Sequence, residues 1–151
     1  MNEEDLAYTA GFFDAEGSIS ISKCGRYYEL SVSISNTNLP AMERIQPIVG
    51  SHLIKRAHKQ GRYTQFFMLE LFHQKAKSFL EKIVPYLCIK KEQAIIALEF
   101  QSKMKNGKLT ISETEKEKYR IQINSSYRKR NSANADSFKL LSIPKVIHGL
   151  R

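Results

Sequence analysis

The sequence predicts an α+β fold of order αββαββα: two hairpins forming an antiparallel sheet, helices on one face, and a helical C-terminal tail. Two observations predict it. Pairs of segments with strict apolar–polar alternation are joined by short polar turns, and each pair is followed by a segment with apolar residues at helical spacing.

The first helix opens at Asn2, a suitable N-cap, with Glu3, Glu4 and Asp5 in its electropositive first turn. Ala7, Gly11 and Ala15 recur every fourth position and so share one face. A stripe this small lets another backbone approach closely; taken alone, it reads sooner as ordinary helix packing within the chain. Asp14 and Glu16 bracket Ala15 where Gly17 stops the helix. A close-packing helix that delivers a carboxylate to its own end suits a metal site at an interface.

Residues 18–22 then alternate Ser and Ile, the pattern of a half-buried strand. A turn over 23–26, with Gly25, leads to a second alternating run over 28–36. Leu30, Val32 and Ile34 face one way, and Ser31, Ser33 and Ser35 the other. Residues 39–49 read as a helix with Pro40 in its first turn, and Pro47 is expected to end or kink it early. The second hairpin comprises a strand over 53–56, a polar turn over 59–62 and a strand over 63–72. Ala76, Leu80, Ile83 and Leu87 mark a helix closed by Pro85, and a buried helix is expected from about 90 to 104. Ser112 and Glu115 form a capping box before a short charged helix. Beyond Tyr127 the chain turns basic and polar, with Arg128-Lys129-Arg130, and is expected to be mobile; 138–147 is apolar enough to dock.

At 151 residues, 42% hydrophobic, the chain is long enough for one domain with a sizeable core. A net charge of +9 points to a polyanionic partner, nucleic acid being the commonest, although charge alone also serves solubility. The apolar run around 83–89 is too short for a bilayer, and the acidic N-terminus lacks a secretion signal. No membrane association and an intracellular location are therefore expected, with bacterial cytoplasm and organelle both compatible. Cys24 and Cys88 are expected to be reduced, and His52, His58, His73 and His148 make no metal-ligand spacing.

A twisted antiparallel sheet with a polar, basic outer face suits the DNA major groove. On that face Ser18, Ser20, Ser22, Ser31, Ser33 and Ser35 are candidate base or water contacts, or simply a solvated surface. Lys23, Arg26, Lys55, Arg56 and Arg62 are candidate DNA contacts, mostly to phosphates. Which of Lys55 and Arg56 faces the groove depends on the register of the second hairpin.

The segment Thr9-Ala10-Gly11-Phe12-Phe13-Asp14-Ala15-Glu16-Gly17 resembles the signature of the LAGLIDADG homing endonucleases, of the single-motif, homodimeric type. Thr9 departs from the leading Leu, Phe12-Phe13 replace Leu-Ile, and Glu16 stands where the family has Asp or Glu. A second segment, Pro85-Tyr86-Leu87-Cys88-Ile89-Lys90-Lys91-Glu92-Gln93, is similar to the one that delivers the family's active-site lysine. The likeness runs to about residue 105; the tail after Asn106 has no counterpart.

The resemblance implies a saddle-shaped sheet, an endonuclease domain over 1–127, and a separate tail over 128–151. It implies site-specific, divalent-metal-dependent double-strand cleavage of DNA, with Mg²⁺ or Mn²⁺ as cofactor and a gene encoded within an intron. Carried over by position, Glu16 is the metal-binding acid, with the Ala15 carbonyl as a neighbouring ligand. Lys90 is then the active-site lysine, Asn38 the polar water-organising residue, and Arg44 the nearest match to a family arginine. One chain supplies one such acid, whereas in-line phosphodiester hydrolysis calls for activation of water and stabilisation of the leaving oxygen. Pairing two chains through Ala7, Gly11, Asp14 and Ala15 supplies two Glu16 side chains and two sheets for a near-palindromic double-stranded DNA site. The alternative is a non-cleaving protein of the same fold, an intron RNA maturase or a DNA-binding regulator.

Overall fold

The computed structural model describes residues 2–57, 65–105 and 108–125. Helix α1 (Glu3–Glu16) is followed by β1 (Gly17–Cys24), β2 (Tyr27–Asn36), α2 (Leu39–Val49), β3 (Ile54–Ala57), β4 (Gln65–Phe72), α3 (His73–Ile83) and α4 (Lys91–Ser102). A final helix, α5, occupies 113–125. The αββαββα order and the α+β class are those expected. The polar turn over 59–62, the basic run 128–130 and the segment 138–147 lie outside the described residues, as do His58 and His148.

Four antiparallel strands form one sheet in the order β1-β2-β4-β3. Its inner face carries Ile19, Ile21, Leu30, Val32, Ile34, Leu69 and Leu71, all buried. Ala10 and Phe13 of α1, Met42 and Ile45 of α2, Phe79 and Leu80 of α3, and Ala97 and Phe100 of α4 cover it. Phe13 meets Phe79 edge to face, with ring centroids 5.5 Å apart. Gly17 is where α1 becomes β1, and a side chain there would collide with Phe13: its Cβ would lie 2.2 Å from a ring carbon and 2.6 Å from the Phe13 carbonyl oxygen. Core packing therefore demands a glycine immediately after Glu16.

Asn2 caps α1 as expected, its side chain accepting from the Asp5 amide at 2.8 Å. The expectation for Pro47 needs correction, because α2 continues through it to Val49. Pro47 lies in the last turn, so little of the helical ladder follows the bond it removes. Gly50, in the left-handed conformation at φ 72°, donates its N–H to the Gln46 carbonyl and closes the helix. At the edge of the sheet, short β3 pairs only with Gln65–Met68 of β4. Further along, the Ser51 hydroxyl takes the place of a strand, donating to the Glu70 carbonyl and accepting from its N–H. The helix expected over 90–104 stops at Ser102; Met104–Lys105 pairs instead with Lys108–Leu109 in a two-stranded ribbon.

The capping box forms, with Ser112 Oγ accepting from the Glu115 amide and the Glu115 carboxylate accepting from Ser112 N–H. α5 is fastened beneath the β1–β2 hairpin. Tyr28 donates its hydroxyl to Glu117, Lys23 pairs with Glu113 at 2.9 Å, and Ile123 is buried.

Candidate nucleic-acid interface and acidic helix terminus

The end of α1 is organised by Asp14. Only 8% exposed, it turns inward, and its carboxylate accepts from the main-chain N–H groups of Cys88, Ile89 and Lys90 at 2.7, 3.0 and 2.8 Å. These amides lead into α4, whose positive end favours a carboxylate beneath it. Of the roles the sequence leaves open to Asp14, a structural cap or a place at the pairing face with Ala7, Gly11 and Ala15, its side chain takes the cap within its own chain.

Lys90 occupies the N-cap position of α4 and is 7% exposed. A cation at a helix start is disfavoured by the dipole, yet its ammonium reaches another helix altogether. Nζ donates to the main-chain carbonyl of Asp14, at the electronegative end of α1. Asp14 thus joins α1 to α4 twice, through its carboxylate and through its carbonyl. Lys90 is thereby held at a carbonyl two residues before Glu16.

Glu16 is the last residue of α1 and is exposed. No basic residue accompanies it in the last turn, so its carboxylate adds to the negative pole of the helix, an arrangement that attracts a cation. Ala7, Gly11 and Ala15 are all exposed, and a Cβ added at Gly11 would touch nothing within 4 Å. The stripe is therefore not used for packing within the described part of the chain. Beside it, the Arg44 guanidinium lies 4.0 Å above the Tyr8 ring.

Asn38 does not end the second strand. β2 ends at Asn36, and Asn38 is instead the N-cap of α2, its Oδ1 accepting from the Ala41 amide at 3.0 Å. Asn36 Oδ1 accepts from the Asn38 amide at 2.8 Å, so its side chain serves the turn into α2. Since Gly17 pairs with Ile34, Asn36 lies just past that pair, at the end of the sheet where α1 delivers Glu16.

The pairings fix the outer face. Ser18 lies opposite Ser33 and Ser20 opposite Ser31, with the Ser20 and Ser31 hydroxyls 2.7 Å apart; Ser22 faces Glu29, and Ser35 faces Met68. Arg26 is exposed in the β1–β2 turn. Arg56 pairs with Phe66 and shares the serine face, whereas Lys55 pairs with Phe67 on the helix-covered side, which settles the register and corrects Lys55. Lys23 is corrected likewise: it pairs with Tyr28 and points to the side occupied by α5. The Tyr28 and Glu113 side chains hold its ammonium above the ordinary lysine range, and Lys23 in turn holds the Glu113 carboxyl below its ordinary value. Arg62 lies outside the described residues. Contrary to expectation, the outer face is not polar throughout, because Glu70 stands among Phe66, Met68 and Phe72 on β4.

Among the described residues no three His, Cys, Asp or Glu side chains cluster as a metal centre, and no helix is long and apolar enough to cross a membrane. One exposed carboxylate at a carbonyl-rich helix end fits a hard cation such as Mg²⁺, which retains most of its waters and takes few protein oxygens.

Comparison with known proteins converges on one family. Residues 9–94, more than half of the chain, match the family described as LAGLIDADG endonuclease. Among solved structures, the homing endonuclease I-CvuI in complex with the I-CreI target, in 2 mM Mg with the DNA not cleaved, superposes with a TM-score of 0.65. Identity there is 24%, over 83% of this chain and 85% of that one. I-CvuI with its own target in 2 mM Ca gives 26% identity and a TM-score of 0.55, over 70% and 72% of the two chains. The archaeal intron-encoded homing endonuclease I-Vdi141I complexed with DNA gives 19% and 0.53, over 81% and 99%. No curated protein matches significantly in sequence. A motif helix ending in Asp14-Ala15-Glu16, its buried clasp to Lys90, the sheet order and the family match agree: the chain belongs to the LAGLIDADG endonuclease family.

Proposed function

We propose that this protein is a divalent-metal-dependent DNA endonuclease that pairs through α1 as a homodimer and breaks both strands of a long, pseudo-palindromic site. The observation that carries the reading is the clasp at the end of α1. A buried carboxylate, Asp14, holds the Lys90 segment and brings a buried ammonium to the same helix terminus as the exposed Glu16.

In this reading Glu16, with the Ala15 carbonyl, holds the cation. The bound metal supplies activation of water and stabilisation of the leaving oxygen. Lys90, buried and pinned to the Asp14 carbonyl, presents fixed positive charge toward the phosphate, and its low-dielectric setting strengthens that interaction. The exposed small-residue stripe brings two α1 helices together about a two-fold axis, so that two Glu16 side chains meet. The sheets then straddle the duplex, with the serine face and Arg56 toward the groove and Arg26 near the backbone.

The test is incubation of the full chain with a library of randomised duplexes, with Mg²⁺ or with EDTA. The reading requires double-strand breaks at an enriched site with Mg²⁺ and intact DNA with EDTA. Metal-independent binding without any cut would instead make the protein a binder of the same fold.

A further inference from the structure

The outer face of the sheet has two chemically different halves. On β1 and β2 it carries serines. On β4 and β3 it carries Phe66, Met68, Phe72 and Ile54, together with Arg56 and Glu70. These apolar residues take no part in the inner face, which on β4 is supplied by Leu69 and Leu71. Ile54, Phe66 and Met68 are partly exposed, and Phe72 is 40% exposed.

Register places Ser35, Met68 and Ile54 in one row across the sheet. The row begins beside the α1–β1 junction, since Ser35 directly follows the residue paired with Gly17. With neighbouring strands about 4.8 Å apart, the apolar half is continuous with the end of the sheet that carries Glu16.

We propose that Met68, Ile54 and Phe66 read thymine by contact with its 5-methyl group in the major groove; the inference rests on the endonuclease reading above. Apolar side chains cannot bond phosphate, so they contribute nothing to the charge-driven affinity of a +9 chain. Of the groups that base edges present in the major groove, the thymine methyl is the apolar one. Arg56, opposite Phe66 on the same face, holds this half against the duplex. Met68, unbranched and polarizable, adapts to a methyl at a range of depths.

The experiment selects bound duplexes from a randomised library in EDTA, then resynthesises the recovered site with deoxyuridine in place of each thymine. Burial of one methyl corresponds to about a four-fold change in affinity. We expect at least one thymine in each half-site to show a loss of that order, and the double substitution Met68→Ala, Ile54→Ala to erase the difference there. A site tolerating deoxyuridine at every position overturns the inference while leaving the endonuclease reading intact. That result would leave the patch as a surface for an apolar protein partner. Recovery of no duplex overturns both. The deoxyuridine comparison uses the unaltered protein and so does not depend on how the variant folds.

Discussion

Replacing Glu16 with Gln leaves the protein folded and bound to its DNA but unable to cut it. Glu16 is exposed and packs against none of the core, so an isosteric amide costs little stability. The substitution removes the one formal negative charge offered to a cation at the end of α1. Metal coordination is worth several kcal/mol at a phosphoryl transition state, so cleavage should fall about 10³-fold or more. Retention by duplexes from the enriched site, followed by gel shift beside a cleavage time course, separates the two effects. Undiminished Mg²⁺-dependent cutting by the Gln variant would remove Glu16 from the site.

Asp14→Ala should damage the protein differently, through its fold. Three main-chain amides lose a buried, charged acceptor at once, and the carboxylate nearest the buried Lys90 segment disappears. Unsatisfied buried donors cost roughly 1–3 kcal/mol each, whereas the Asp14 carbonyl that accepts from the Lys90 ammonium is kept in the variant. A destabilisation of about 3–5 kcal/mol is expected in urea unfolding, a large part of the margin of a domain this size. Asp14→Asn retains an acceptor and should lose less. If both variants unfold at the wild-type midpoint, the clasp is not what positions Lys90. Glu16→Gln and Asp14→Ala therefore form a diagnostic pair: the first should change cleavage without stability, the second should change both.

Much of this was legible in the sequence because the relevant signals are local. Asn2 and Ser112 announce their helices through side chains that reach three residues on, and period-2 alternation over 18–22 and 28–36 fixes which face of the sheet is buried. The small-residue stripe and terminal acid are likewise contiguous. What sequence reasoning missed depends on long-range pairing. Lys23 lies only one residue beyond the serine row, but strand parity turns it toward α5, whose position no local pattern reveals. Lys55 and Arg56 exchange faces with a one-residue change of register, so only the pairing with Phe67 and Phe66 decides between them. Asp14 reads as part of the exposed stripe until the segment 88–90, far along the chain, claims its carboxylate. Asn38 lies beyond the strand for a local reason, being the N-cap of α2.

The central claim is that two copies meet along α1. It is tested most directly by the mass of the protein–DNA complex, for the wild type and for Gly11→Leu. A Cβ added at Gly11 meets nothing within 4 Å, and leucine is the better helix former, so the variant should fold at least as stably as the single wild-type chain. Sedimentation of the wild type on its recovered duplex should show two 17.4 kDa chains per DNA, and Gly11→Leu should lose the pair together with double-strand cleavage. One wild-type chain per duplex with both strands cut, or a Gly11→Leu protein that still pairs and cuts, would contradict the account.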